Sequence, residues 1–338
     1  MSATPDIRDA IKRTNLRLCN ILVMDDLPTR REVEALFEIS SYLEPIWRTG
    51  GLNFLAGKVL ATLFFETSTR TRLGFEISMD KLGGKVIAEA APMLTSRVAV
   101  GESLADMLQT ISSYADLIAL RCPNADAAIE AVREGAKVPV ISGGFGPHEH
   151  PVAGYTDLYT LWRQFGKIDD LKVLFLGPDQ THSRTTHSLA YGLSKFGAEI
   201  VFATESEKRN PEEVLQKLRQ NNVRFSEHLD PSKAEVEKLI RSVDVVYCSM
   251  FIRGIPEKEP ERSDWFKMAS KYYIELDHLE KTKKELGKSI KIMHPLPRYP
   301  EKEMDHRIDG TEYALYWKQV ALAQRIRMAM MLSILYGT

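Results

Sequence analysis

Strand-length apolar runs alternate with helix-length amphipathic segments from about residue 25 onward, and this alternation constrains the fold more than any other feature of the chain. A chain that repeats strand and helix in turn buries its strands in a parallel sheet covered by the helices, an α/β architecture. In the first half the strand candidates are Lys58 to Phe65 (KVLATLFF), Lys85 to Ala88, Leu117 to Arg121 and Val138 to Ile141, with helix-like stretches such as Leu104 to Tyr114 between them. In the second half they are Lys172 to Gly177 (KVLFLG), Glu199 to Thr204, Val243 to Ser249, Tyr272 to Leu276 and Ile290 to His294. Each half can form its own sheet, and 338 residues is the length of about two domains.

Between the halves lies Ser142 to Tyr155 (SGGFGPHEHPVAGY), dense in Gly, Pro and His, which leads into the amphipathic segment Asp157 to Phe165. This places the boundary near residue 150, with domains at 1–150 and 151–312 and a closing segment at 313–338. That segment, Tyr313 to Tyr336, reads as a long helix carrying Arg325 and Arg327, and its packing partner cannot be read from its own residues.

Composition removes several classes of function. Forty-five Lys+Arg against 46 Asp+Glu leave a net charge of -1, so no global field exists to hold a nucleic acid or an anionic membrane. No stretch approaches the ~18 apolar residues of a membrane span, and the N-terminus has no apolar leader. Cys19, Cys122 and Cys248 are far apart, which fits neither a disulfide framework nor a Cys-based zinc site. A reducing, cytoplasmic setting is expected.

The chemistry begins after KVLATLFF, where Glu66-Thr67-Ser68-Thr69-Arg70-Thr71-Arg72 precedes a helix expected to end at Gly83-Gly84. Free N–H groups of a first helical turn, the positive end of the helix dipole, hydroxyls and two guanidiniums together make a cradle for a phosphate-sized dianion. The competing reading is that Ser68 or Thr69 caps the helix while both arginines are solvated. Further polar residues stand at the ends of other strands, where open α/β sheets bind ligands. Arg121 closes LIALR, His150 follows VPVISGGFGPHE, Arg184 follows KVLFLGPDQTHS, and His294-Pro295-Leu296-Pro297-Arg298 follows IKIM.

Taken in order, FFETSTRTR, LRCP, GPHEHP, SRTTHSLAYGL and HPLPR resemble the motifs of the aspartate/ornithine carbamoyltransferase family, and the resemblance runs over nearly the whole chain. Even Asp25-Asp26-Leu27-Pro28-Thr29 before an amphipathic helix looks like the family's opening, and HPLPR points to the aspartate branch. The resemblance implies two parallel α/β domains with the active site in the cleft between them and a C-terminal helix returning to the first domain. It implies an enzyme that moves the carbamoyl group of carbamoyl phosphate to an amino acid, L-aspartate by default, without metal or other cofactor, and a homotrimer or a multiple of one. By the same match Ser68, Thr69, Arg70 and Thr71 cradle the phosphate, Arg121 contacts phosphate and carbonyl oxygen, and His150 donates to the developing oxyanion. Arg184 grips an acceptor carboxylate, the Leu296 carbonyl orients the attacking amine beside a cis Pro297, and Arg298 completes the acceptor side.

Three positions depart from the family pattern. The family's HPxQ reads His150-Pro151-Val152-Ala153, which removes the glutamine that holds the carbamoyl amide. The aspartate branch's SLGKKGE loop reads Ser96-Arg97-Val98-Ala99-Val100-Gly101-Glu102, with Val100 at the lysine position and Ser96 retained. The TRxQ segment that binds aspartate's second carboxylate is replaced after Tyr247 by Cys248-Ser249-Met250-Phe251-Ile252-Arg253. Methionine cannot neutralise a carboxylate. Either Arg253 reaches in from a shifted loop, or the acceptor has one carboxylate fewer and an apolar part facing Met250 and Phe251.

Two other classes stay open on sequence grounds. A noncatalytic homologue serving as a subunit or binding protein fits the lost glutamine and arginine, although Arg70, Arg121, His150, Arg184 and HPLPR are all kept. A dinucleotide-binding oxidoreductase fits only the α/β pattern, because KVLFLG is followed by Pro178-Asp179-Gln180 and not by a glycine fingerprint.

Overall fold

A computed structural model of the chain describes residues 7–47, 52–89, 92, 97–248, 256–299 and 302–337. It divides into two units, residues 1–159 with 322–338 and residues 160–321. Among the described residues each unit is built on a parallel sheet, one of four strands and one of five.

The first sheet contains β1 (Val59–Phe64), β2 (Lys85–Glu89), β3 (Leu117–Cys122) and β4 (Val140–Phe145), in the spatial order β2-β1-β3-β4. The inner strands are near-continuous, buried apolar runs, as expected of parallel strands covered on both faces. The helices in this part of the chain are α1 (Ile7–Arg13), α2 (Arg30–Ile46), α3 (Thr69–Lys81), α4 (Leu104–Ile111) and α5 (Ala125–Gly135). The Thr29 hydroxyl accepts from the Glu32 N–H and Glu32 accepts from the Thr29 N–H, a reciprocal cap that starts α2 where the Pro28-Thr29 signal leads one to expect it. Strand β4 runs to Phe145, whereas the sequence suggests an end at Ile141. Gly143 is a close-approach position: a Cβ there would lie 3.1 Å from the Phe64 ring and 3.3 Å from the Leu120 carbonyl.

Helix α6 (Pro151–Phe165) spans the division between the units. It starts six residues before the Asp157 suggested by periodicity, because Pro151 suits a first helical position and the His150 carbonyl accepts from the Ala153 and Gly154 N–H groups at 2.9 and 3.0 Å.

The second sheet contains β5 (Lys172–Leu176), β6 (Glu199–Thr204), β7 (Arg224–Leu229), β8 (Val245–Cys248) and β9 (Lys291–Met293), in the order β7-β6-β5-β8-β9. Its helices are α7 (Arg184–Leu193), α8 (Glu212–Gln220), α9 (Lys233–Ser242), α10 (Glu261–Ala269) and α11 (Leu276–Leu286). Two expectations change here. Strand β7 is not among the sequence candidates, because RFSEHL lies at a sheet edge with mostly exposed side chains and lacks an apolar run. Tyr272 to Leu276 is no strand: Ile274 makes a single bridge to Met304, and Leu276 already opens α11. Its buried tyrosine and isoleucine serve the core from a turn.

The last helix, α12 (Tyr316–Leu335), belongs to the second unit through Ala321 and to the first from Leu322. Within the first unit it lies against α2 and α3. Arg325 sits 4.6 Å over the Trp47 ring just past the end of α2, and Arg327 sits 5.7 Å from the Phe75 ring of α3. The Leu18 N–H donates to the Ile334 carbonyl at 3.1 Å. Among the described residues no helix is long and apolar enough to cross a membrane.

Candidate active site

In the first sheet the chain moves from β1 outward to β2, then returns to the other side of β1 with β3 and β4. The carboxyl ends of β1 and β3 therefore form the point where strand order reverses, the position at which open α/β sheets leave a crevice. Glu66 follows β1 and Arg121 lies at the end of β3, and their side chains join across this point at 3.2 Å. Arg121 also donates to the Gly143 carbonyl of β4 at 3.0 Å, so its guanidinium is fixed against three adjacent strands. It is 7% exposed. His150, also 7% exposed, follows β4 through the Phe145–Glu149 bridge.

Ser68 occupies the N-cap of α3, yet its side chain makes no capping hydrogen bond. Thr69 and Arg70 are exposed, Ser68 is half-buried and Thr71 is buried at the start of the helix. The two arginines differ. Arg72 bonds Glu76 at 3.0 Å, and the same Glu76 accepts from Thr62 at 3.1 Å, so Arg72 is committed to the fold. Arg70 has no carboxylate partner among the described residues, and desolvation lowers its pKa. A cation left uncompensated at a helix N-terminus is where an anion is stabilised.

The second sheet repeats the same layout. From β5 the chain goes outward to β6 and β7 and then returns to β8 and β9, so strand order reverses between β5 and β8. Arg184 is the first residue of α7, which follows β5, and is 6% exposed. After β9 comes the HPLPR turn, where the Leu296–Pro297 peptide is cis and Leu296 has φ +52°. Leu296 is half-buried and Pro297 exposed. Arg298 is engaged within the unit: it bonds both carboxylate oxygens of Asp309 and lies 5.4 Å over the Tyr316 ring. The Asp309 hydrogen bonds raise the Arg298 pKa and hold the Asp309 carboxyl below its ordinary value. Ser96, Met250, Phe251 and Arg253 lie outside the described residues.

Family models match both halves. The carbamoyl-phosphate-binding domain of aspartate/ornithine carbamoyltransferases matches residues 20–163, and their Asp/Orn-binding domain matches residues 169–334. The chain belongs to the aspartate/ornithine carbamoyltransferase family. It is similar to the ureidoglycine carbamoyltransferase of Rubrobacter xylanophilus, 41% identical over 98% of this chain and 96% of that protein. It is 37% identical to the aspartate carbamoyltransferase catalytic subunit of Methanocaldococcus jannaschii over 92% of this chain and 96% of that one. Among solved structures, aspartate transcarbamoylase from Trypanosoma cruzi with carbamoyl aspartate and phosphate superposes with a TM-score of 0.83 at 27% identity, covering 96% of this chain and 98% of that one. The protein is thus a carbamoyltransferase that uses carbamoyl phosphate and an amine acceptor.

For this carbamoyltransferase the structure adds residues that sequence motifs do not single out. Glu66 stands in the ETSTRTR segment but shows its importance only through Arg121, 55 positions away in sequence. Glu303 is 1% exposed and faces His294 of HPLPR. Arg327 of α12 is buried beside Gly74 of α3, and burial lowers its pKa to about 10. An arginine at the head of the mostly apolar run Met328 to Leu335 is the one sequence signal for Arg327; for Glu303 none exists. At the family's glutamine position, Ala153 contributes a methyl group in the first turn of α6.

Proposed function

We propose that this enzyme transfers the carbamoyl group to the α-amino group of an amino acid with one carboxylate and an uncharged arm, of which ureidoglycine is the model, and that L-aspartate is a poor acceptor. The observation that carries this reading is Met250 in place of the arginine with which aspartate enzymes meet the second carboxylate. Support comes from the similarity to a ureidoglycine carbamoyltransferase over 98% of the chain. Ureidoglycine is a glycine bearing a neutral ureido group, so Arg184 alone matches its single carboxylate. Arg298 does not add a second cation, because Asp309 already compensates it.

In this reading the first unit holds carbamoyl phosphate. Ser68, Thr69, Arg70, Thr71 and the first-turn N–H groups of α3 surround the phosphate oxygens, with Ser96 as a further donor. Arg121 reaches phosphate and carbonyl oxygen, and His150 donates to the carbonyl oxygen. The second unit holds the amine, with Arg184 on the carboxylate and the Leu296 carbonyl accepting from the attacking N–H. The unprotonated amine forms a C–N bond to the carbamoyl carbon, negative charge gathers on the carbonyl oxygen, and the C–O bond to phosphate breaks. The amine proton leaves with the phosphate, which departs as hydrogen phosphate. The protein's work is orientation and charge stabilisation. One donor to the oxyanion contributes ~3 kcal/mol to lowering the barrier, roughly a hundredfold in rate.

Phosphate release from carbamoyl phosphate in the presence of ureidoglycine, aspartate, ornithine or alanine tests the acceptor. Ureidoglycine is expected to exceed aspartate in kcat/KM by tenfold or more. Aspartate equal to or better than ureidoglycine would end this reading. We also propose a homotrimer, as the family resemblance implies; Val100, at the aspartate branch's intersubunit lysine position, is 75% exposed in the single chain. Sedimentation at the mass of one 38.3 kDa chain across working concentrations would contradict it.

A further inference from the structure

The turn after β9 is held by a relay of hydrogen bonds whose direction can be followed atom by atom. The Leu296 N–H donates to His294 Nδ1 at 2.8 Å, which assigns the imidazole proton to Nε2. Nε2 donates to Glu303 Oε2 at 2.5 Å. The other carboxylate oxygen, Oε1, accepts from the Tyr299 N–H at 3.0 Å. Glu303 thus supports the turn twice, directly at Tyr299 and through His294 at Leu296.

Both members of the relay are tied to the scaffold. The His294 N–H donates to Gln319 Oε1 at 3.2 Å, and the Glu303 carbonyl accepts from the Ile274 N–H at 3.1 Å. His294 is 2% exposed and Glu303 1%, so water does not compete for these bonds. The backbone they hold needs holding, because Leu296 at φ +52° occupies the left-handed region that a side chain with a Cβ disfavours. Cys248 completes a buried group of three potential metal-ligating side chains whose ligand atoms lie within 4.8 Å of one another. Both imidazole nitrogens and both carboxylate oxygens are already engaged with one another or with backbone N–H groups, which marks the group as a support for the turn.

We propose that Glu303 is a positioning residue of the transfer reaction: through His294 it sets the direction of the Leu296 carbonyl, and with it the trajectory of the attacking amine. The inference rests on the role given to Leu296 in the proposed function. It follows from donor and acceptor counting. Glutamine at 303 offers one acceptor oxygen where two are needed. If that oxygen faces His294 Nε2, its NH2 opposes the Tyr299 N–H. If it faces Tyr299, its NH2 opposes Nε2 and drives the proton to Nδ1, where it opposes the Leu296 N–H. Either orientation releases one end of the turn.

The test uses the full-length enzyme and its best acceptor. Glu303→Gln is expected to lower kcat about a hundredfold, the loss typical of an ångström-scale misplacement, while the thermal shift given by inorganic phosphate stays at the wild-type value. Glu303→Asp keeps both acceptors but withdraws them by one methylene, and is expected to lose about tenfold in kcat with the same phosphate shift. It also serves if the glutamine variant does not fold. Cys248→Ala, which leaves the relay intact, is expected to keep wild-type kcat. A glutamine or aspartate variant within threefold of wild type overturns the inference. So does a parallel loss of kcat and phosphate protection, which would mean general damage to the fold, and so does inactivation by Cys248→Ala, which would favour an ion site. Failure of the wild-type enzyme to release phosphate with any amine would instead remove the proposed function.

Discussion

The two units solve the same placement problem in opposite electrostatic ways. Each has its sheet order reverse between two inner strands, β1 and β3 in the first and β5 and β8 in the second, and each starts a helix there. In the first unit a cation is left uncompensated: Arg70 has no carboxylate partner among the described residues, and the Ser68 side chain does not cap its helix. In the second, the polar groups of the HPLPR turn are engaged within the unit, Arg298 with Asp309 and His294 with Glu303. In the proposed function the difference follows from the ligands: a phosphate dianion would be captured by charge held in reserve, whereas an amine attacking through its lone pair would be guided by a rigid, neutral acceptor.

Four expected outcomes sharpen or break this contrast. The largest concerns Arg70. Arg70→Ala is expected to abolish the thermal shift given by inorganic phosphate and to lower kcat/KM by 10²–10³-fold, a loss of about 3–4 kcal/mol of transition-state stabilisation; an unchanged phosphate shift would remove the basis for the cradle.

Gly74→Ala comes next. An added Cβ would lie 2.7 Å from the buried Arg327 guanidinium, so the variant is expected to lose about 1–3 kcal/mol in denaturant unfolding as α12 is pushed from α3. No loss would show that Arg327 swings aside freely.

Arg298→Ala is expected to cost about 1 kcal/mol of stability and to raise the acceptor KM, with phosphate protection intact. If phosphate protection falls with it, the proposed division of phosphate and acceptor between the two units fails.

Arg72→Ala should do least. With its guanidinium on Glu76, it is expected to change the phosphate shift by less than ~0.5 kcal/mol, and a loss matching that of Arg70→Ala would erase the distinction between neighbouring arginines.

How much of this is legible in the residues depends on how local each interaction is. The proposed cradle is contiguous: strand end, hydroxyls and arginines fall within seven residues, so the candidate segment Glu66 to Arg72 can be read directly from the chain. The capping of α2 is equally local, since Thr29 and Glu32 are three residues apart. Edge strand β7 escapes because exposed side chains leave no apolar run, while Tyr272 to Leu276 misleads because a turn can bury apolar side chains as well as a strand does. Glycines in β4 look like a turn until the Phe64 ring is seen against Gly143.

Most of the alternation of strands and helices was readable from periodicity, the candidate anion-binding segment from short-range chemistry and the family from a resemblance of motifs, all of which are written along the chain. Only the tertiary structure decided which charges are spent and which are held ready. Arg70 and Arg72 are the same residue type in one motif, and what separates them is the Glu76 carboxylate beside Arg72, brought alongside by folding as Asp309 is beside Arg298. The charge of a side chain is a local property, but its compensation depends on distance in space, and that distance exists only once the chain has closed on itself.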